Sequence, residues 1–423
     1  MEPHRLLIIS KYYPKYLKTF YDKRPELAAE PYAIQHTALM GDCFRWADFI
    51  SQELHRLGHE ATDVVANAEP MQKAWARENG IGDGDEPWIL PILFAQIRSI
   101  RPDVLLVGEW HPEFGPDFVK HCRNICPAIK LVIGWCGEAH PDAAYFREHD
   151  LALSCAPDTV EDLDRQGIRA VHLNHAFEPR ILGRLQNRSN ISRPGAEIGF
   201  IGQVEHGEAF HNRRAILLDA LATRLSIELY GDVAEVRSFP VAPGMKRKRE
   251  LYFNLLEHLD RTGMKFVMPY LPKHQAYLEN QNHEKLRQVF ARLHQMAKPP
   301  VFGLEMFGLL AQLKVSLNAH GPSRYASNMR LYEATGVGAC LLTDLKPNLH
   351  TIFEPDTEVV TYNSTEECIE KAQYLLDHES KRREIGANGQ RRTLRDHTFT
   401  QRAGQLHEII SQALRRHPIT ATA

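Results

Sequence analysis

Residues Val315–Asp344 read VSLNAHGPSRYASNMRLYEATGVGACLLTD. Val315–Leu317 is short and apolar, as a buried strand is, and the chain then enters a loop through His320 and Gly321. Ser327 can cap a short helix that carries Asn328, Arg330 and Glu333; Gly336 ends it, and Gly338 leads into a second strand, Cys340–Thr343. A strand, a helix and a strand in close succession predict neighbouring parallel strands with the helix laid across them. The start of such a helix faces the carboxyl edge of the sheet, where its N–H groups and dipole favour an anion. Glu333 could accept hydrogen bonds from a ribose diol; a buried Glu–Arg pair with a purely structural role is the other reading.

The same pattern extends in both directions. Upstream, apolar runs recur at Leu6–Ile9, Thr62–Val65, Val104–Val107, Leu131–Ile133, Leu151–Ser154 and Val171–Leu173, with helix-length segments between them. The pattern restarts after a polar stretch, Arg188–Ala196, with Ile198–Ile201, Ile227–Tyr230, Val315–Leu317, Cys340–Thr343 and Val359–Tyr362. Strands that are apolar throughout are buried on both faces, so an α/β chain of two doubly wound domains is expected. The boundaries are 1–190 and 191–400, with a mainly helical insertion at 233–300 that includes a helix at His283–Met296 and a strand at Phe266–Met268. A last helix, Arg402–Arg416 within 401–423, is expected to return to the first domain.

Composition narrows the function. The 423 residues are 43% hydrophobic and 25% charged with a formal charge of −2, which excludes a disordered chain, a disulfide-stapled miniprotein and a strongly basic nucleic-acid binder. No apolar run approaches the roughly 18 residues of a membrane span. The opening MEPHRLLIISKYYPKY is too short in apolar residues for a signal peptide. Seven scattered cysteines read as free thiols of a reducing compartment, so a cytoplasmic protein is expected.

Chemistry belongs just after the strands. Gly41-Asp42 is expected to open a helix whose apolar face is Phe44, Ala47, Ile50, Leu54 and Leu57 and whose end is Gly58, making Gly41 and Asp42 candidates for a hydroxyl-rich or anionic ligand. After Ile133 come Trp135, Glu138 and His140; after Val107 comes His111; these carboxylate and imidazole groups could act as bases. Gly202 follows Ile201, and Asn212-Arg213-Arg214 opens the next helix, a candidate diphosphate site. All five tryptophans lie in the first half, where they could stack on sugar rings or pack a core. His121, Cys122 and Cys126 are too sparse for zinc, and Asp83-Gly84-Asp85 and Asp162-Leu163-Asp164 read as surface acids, so no metal is expected. Two basic runs, Lys246–Arg249 and 381–395, read as solvated faces; the second could also touch an anionic lipid surface at the inner face of the membrane.

Residues 300–410 resemble the C-terminal half of the glycosyl transferases group 1 superfamily, most closely the branch typified by spore maturation protein CgeB. The matching text is VFGLEMFGLLAQLKVSLNAHG, SNMRLYEATGVGACLLTD and the run from FEPDTEVVTY to the closing HTFTQR; MGDCFRWADFISQELHRLGHE and IGFIGQ resemble the superfamily more loosely. The resemblance implies a GT-B fold, two Rossmann-like domains facing a cleft. It implies transfer of a sugar from a nucleotide-diphosphate sugar to an acceptor hydroxyl on a glycan, lipid or protein, as in polysaccharide biosynthesis, with no metal and no further cofactor. It places the donor on Gly202, Arg213, His320, Asn328, Arg330 and Glu333, and the acceptor near Gly41, Trp135 and His111. Asp42, Glu138 and His140 are then the candidate bases if the reaction inverts; retention, which the resemblance favours, needs none. Retaining members often carry a glutamate eight residues before the ribose glutamate, where this chain has Tyr325. A nucleotide-sugar 2-epimerase of the same fold and a non-catalytic nucleotide- or sugar-binding protein are the alternatives.

Overall fold

The computed structural model describes residues 3–82, 87–108, 111–137, 141–187, 197–205, 208–235, 255, 259 and 274–416. Among them are two six-stranded parallel sheets. The first contains β1 (Arg5–Ser10), β2 (Glu60–Val65), β3 (Val104–Val107), β4 (Leu131–Cys136), β5 (Leu151–Ser154) and β6 (Ala170–His172), in the order β2-β1-β3-β4-β5-β6. The second contains β7 (Ile198–Ile201), β8 (Ile227–Tyr230), β9 (Ala297–Lys298), β10 (Val315–Asn318), β11 (Cys340–Asp344) and β12 (Val360–Tyr362), in the order β12-β11-β10-β7-β8-β9. Every residue of β3, β4 and β5 is buried, which is why these segments read as unbroken apolar runs.

All eleven apolar runs picked out from the sequence coincide with strands, with Leu173 and Val359 just outside β6 and β12. The twelfth, β9, is two residues long and pairs at the edge with β8, too short to leave a periodic signal. The expected strand at Phe266–Met268, the linker 188–196 and most of the 233–300 insertion lie outside the described residues; within it the helix His274–Met296 is described.

One local expectation is corrected. Asp42 does not start a helix: it is the C-cap of the helix Tyr32–Gly41, and the next helix is Phe49–Arg56. Between them Cys43, Arg45 and Ala47 take φ of +58°, +55° and +41°. Phe44 and Ala47 are buried, so the apolar spacing runs on through a loop whose backbone is left-handed at every other residue. Hydrophobic period alone does not separate such a loop from a helical turn. Gly58, with φ +88°, does follow the helix end.

The two sheets share an apolar core. One cluster joins Leu39, Phe44 and Phe49 with Phe177, Phe307, Leu331 and Tyr332, and with Phe399, Leu406 and Ile410 of the final helix, Phe399–Arg416. That helix lies against Phe49–Arg56; the Phe49 and Phe399 ring centroids are 5.0 Å apart. Phe177 meets the chain entering it through Phe177 N to His397 O at 2.9 Å and Phe399 N to Phe177 O at 3.1 Å. Gly336 abuts the same ring, where a Cβ would stand 2.3 Å from Phe177 Cγ, so no larger residue fits without displacement.

The basic stretch 381–395 lies on the helix Glu379–Asp396. There Lys381 pairs with Glu384, Arg383 with Glu379, and Arg392 with Asp396, while Arg382 is buried and donates to Leu375 O. Among the described residues no helix is long and apolar enough to cross a membrane. Asp162 pairs with Arg165 and Asp164 accepts from Ala170 N, which gives that acidic pair local structural partners; Asp83-Gly84-Asp85 lies outside the described residues.

Candidate active site

In a doubly wound sheet the ligand crevice opens where strand order reverses, beyond the carboxyl ends. In the second sheet that point lies between β7 and β10. A cavity of about 330 Å³ lies there, lined from the second domain by Gly202, Arg214, Asp232, Asn318, Asn328, Arg330 and Glu333 among others. Tyr13, Lys15, Cys43, Phe44 and Arg45 close it from the first domain. The site is therefore a cleft between the two sheets.

Its floor is rigidly tied. Asn318, the last residue of β10, donates to Thr343 Oγ1 at 2.9 Å and accepts from Asn328 Nδ2 at 2.7 Å, while its carbonyl accepts from the Tyr362 hydroxyl at 2.8 Å. Arg330 and Glu333, on the short helix Arg330–Gly336, form an ion pair at 2.9 Å. Arg330 also donates to Ile201 O at 3.3 Å, bridging to the end of β7. Glu333 is buried; burial raises its carboxyl above the usual range and the Arg330 charge opposes that. Glu333 thus has both a structural partner and a place in the cavity wall.

Four of the residues picked from the sequence for the donor, Gly202, Asn328, Arg330 and Glu333, meet in this cavity. Arg213 does not: it is exposed, and its neighbour Arg214 turns inward instead. Arg214 donates to Gln203 O at 2.7 Å and to Ala319 O at 2.9 Å, so it clamps the loops that follow β7 and β10. Burial lowers its guanidinium pKa from the ordinary value, against the pull of Asp344 and Tyr362. The signal was present in the sequence, because Arg214 stands three and four residues before the buried Leu217 and Leu218, whereas Arg213 stands three before the exposed Ile216.

His320 sits behind the cavity wall, 5% exposed. Its backbone N–H and Nδ1 both reach Asp344 Oδ1, at 2.8 and 2.7 Å. Burial opposes ionisation of Asp344, but His320 and Lys346 outweigh it and hold the carboxyl below its ordinary value.

The first-domain candidates are more dispersed. Asp42 lies outside the main cavity, in a smaller one of about 100 Å³, where its carboxylate accepts from the Tyr16 hydroxyl at 3.1 Å and faces Arg24 at 3.6 Å. Its carbonyl accepts from Leu304 N at 2.8 Å, and a Cβ on Gly303 would meet Asp42 Oδ2 at 2.3 Å, so this residue joins the domains. Gly41 ends its helix, and its carbonyl accepts from Arg184. Trp135 is 5% exposed and packs among Trp46 and His175, with no face open to a sugar. His111 stands at the first sheet's own reversal point, between β1 and β3, where its Nε2 lies 3.2 Å from Lys11 Nζ. Glu138 and His140 lie outside the described residues.

Sequence reasoning missed Lys15, Arg45 and Asp232, which come together from segments far apart in the chain. Cys43 also lines the cavity, but burial pushes its thiol up to about 11, so it is a protonated thiol rather than a nucleophile at neutral pH. Among the described residues no group of three His, Cys, Asp or Glu side chains is placed to hold a metal ion.

Residues 254–408 match the family described as Glycosyl transferase-like. No curated protein matches the chain. Solved structures share the fold along nearly the whole length. A glycosyltransferase from Rickettsia africae is 8% identical over 98% of this chain and 100% of its own, with a TM-score of 0.52. Anabaena HepE, solved in complex with UDP-glucose, is 10% identical over 97% and 100%, with a TM-score of 0.54. Sucrose-phosphate synthase from Thermosynechococcus elongatus is 11% identical over 98% and 100%, at 0.50. With its two facing parallel sheets the chain has the GT-B fold, and its residues 254–408 are similar to the glycosyl transferase-like family.

Proposed function

We propose that this protein is a glycosyltransferase that moves a sugar from a nucleotide-diphosphate sugar to an acceptor hydroxyl. The observation that carries the reading is the cleft itself, where Glu333, Arg330, Asn328 and Arg214 meet at the strand-order reversal of the second sheet. In this reading Glu333 accepts from the ribose hydroxyls, and the Arg330 charge opposes the effect of burial on its carboxyl. Arg214, Arg330 and the first-domain cations stabilise the charge that develops on the diphosphate as the glycosidic bond breaks. HepE, whose complex with UDP-glucose shares this fold, supports a nucleotide sugar as donor. The acceptor approaches from the first domain, where Lys11, His111 and Glu113 gather at the β1/β3 edge. Retention of configuration is the outcome that the family resemblance favours, with the donor phosphate receiving the acceptor proton.

The test is a thermal-shift screen of the full chain against UDP, GDP, CMP and dTDP sugars. A ligand that binds the folded state alone raises the melting temperature with its affinity. One nucleotide class is expected to stabilise the protein; a flat response to all of them overturns the reading. Incubation of the stabilising sugar without acceptor then reads epimerisation, which simple transfer does not produce.

A further inference from the structure

We infer that Lys15 is a diphosphate-binding cation supplied to the cleft by the first domain, and that Asp232 competes with the diphosphate for it. The inference rests on the nucleotide-sugar reading above. Lys15 lies in the first turn of the helix Pro14–Asp22 and forms an ion pair with Asp232, just beyond β8 in the other domain. Both residues line the cavity, and their side chains are 53% and 51% exposed.

Mobility separates Lys15 from the arginines around it. Arg330 is committed to Glu333 and to Ile201 O, and Arg214 to two backbone carbonyls. Their positions are set by the sheet. Lys15 instead carries its ammonium on a flexible four-carbon stem in open water, rooted in a helix that holds the backbone still. Asp232 is anchored through its backbone, its carbonyl accepting from Val204 N at 2.9 Å. The pair therefore consists of a carboxylate on a short stem from an anchored backbone and an ammonium on a long, movable one.

Charge gives the direction of exchange. Among the described residues lining the cavity, Lys15, Arg45, Arg214 and Arg330 are basic and Asp232 and Glu333 acidic. Glu333 is matched by Arg330 within the floor. An incoming diphosphate carries at least two negative charges and several acceptor oxygens, and it meets Asp232 as a like charge. An exposed ion pair is weak, so a diphosphate outcompetes Asp232 for the ammonium. Asp232 is thus a built-in weakener of donor binding, and Lys15 a strengthener.

That opposition in sign is the test, because an ion pair that merely bridged the domains would make both substitutions act alike. The full chain is titrated calorimetrically with pyrophosphate, UDP and GDP, as wild type, Lys15→Gln, Asp232→Asn and Lys23→Gln. Lys15→Gln is expected to weaken binding about fivefold or more, and Asp232→Asn to tighten it about threefold, within the range of a single exposed charge pair. Lys23 pairs with Glu305 across the same domain boundary at 2.7 Å but lies outside the main cavity, so Lys23→Gln is expected to change binding less than about twofold. Shifts of the same sign in Lys15→Gln and Asp232→Asn, or none in either, overturn the inference while leaving the donor reading intact. Absence of binding by wild type to all three probes, together with a flat response in the thermal-shift screen, removes the donor reading and this inference together. Melting curves of the variants confirm that each is folded.

Discussion

The carboxyl edges of the two sheets are built in different ways. At the β7/β10 edge nearly every polar side chain is fastened to backbone or to a neighbour within the second domain: Arg214 to two carbonyls, Asn318 to Thr343 and Asn328, Arg330 to Glu333. At the β1/β3 edge Lys11, His111 and Glu113 contact one another through side chains, with Glu113 41% exposed. A site that recognises one ligand with fixed geometry benefits from the first arrangement, because its donors need no reorganisation. A site that accepts chains of varied shape is better served by the second. The difference teaches that the β7/β10 edge is set by its sheet and the β1/β3 edge by its loops.

Glu333→Ala tests the fastened edge most severely. It removes the proposed ribose acceptor and leaves the largely buried Arg330 without its carboxylate, a change worth roughly 3–5 kcal/mol when a buried pair is broken. Nucleotide binding is expected to fall below detection by calorimetry, with circular dichroism reporting whether the fold survives. Retained nucleotide affinity would reduce the Arg330–Glu333 pair to scaffolding and break the comparison. Gly336→Ala comes next, since its methyl would enter the Phe177 ring; about 1–3 kcal/mol of overpacking should appear as a lowered melting temperature. His111→Ala addresses the looser edge: the acceptor KM is expected to rise about tenfold, the loss of one good polar contact, while the nucleotide Kd stays unchanged. A change in nucleotide Kd instead would assign that edge to the donor.

The smallest effect contrasts two buried carboxylates. Glu333 has an arginine partner; Asp63, on β2, accepts from the Ser51 hydroxyl. Burial pushes Asp63 up to about 7, against the lowering by Ser51 and with a further rise from Asp48. Because the folded chain holds this proton after the unfolded chain has released it, stability falls as pH rises from about 4 to 7 and is flat above. Asp63→Asn removes that dependence. Its melting temperature should exceed that of wild type by a margin that widens from pH 4 to pH 8; a constant margin would show that Asp63 ionises normally.

Much of this was legible in the chain. Buried parallel strands leave apolar runs that need no partner to be recognised, and the Asn328–Glu333 segment carries its chemistry within a few residues. What escaped depended on angle or on distance in sequence. One residue of helical rotation separates Arg213 from Arg214. The left-handed residues Cys43, Arg45 and Ala47 hide inside an apolar spacing that a helix would share. Lys15 and Asp232 are 217 residues apart, and only the facing of two domains brings them together. Trp135, chosen for its flat ring, is used for packing because it lies inside a strand buried on both faces.

The path of the final helix also bears on how the protein is made. Phe399, Leu406 and Ile410 complete the core around Phe49 and Leu54, which belong to the segment synthesised first. The first domain therefore leaves the ribosome with one apolar wall uncovered and waits through the whole of the second domain for its cover. At about 5–20 residues per second that interval is on the order of ten seconds or more, long enough for a chaperone to shelter the exposed face.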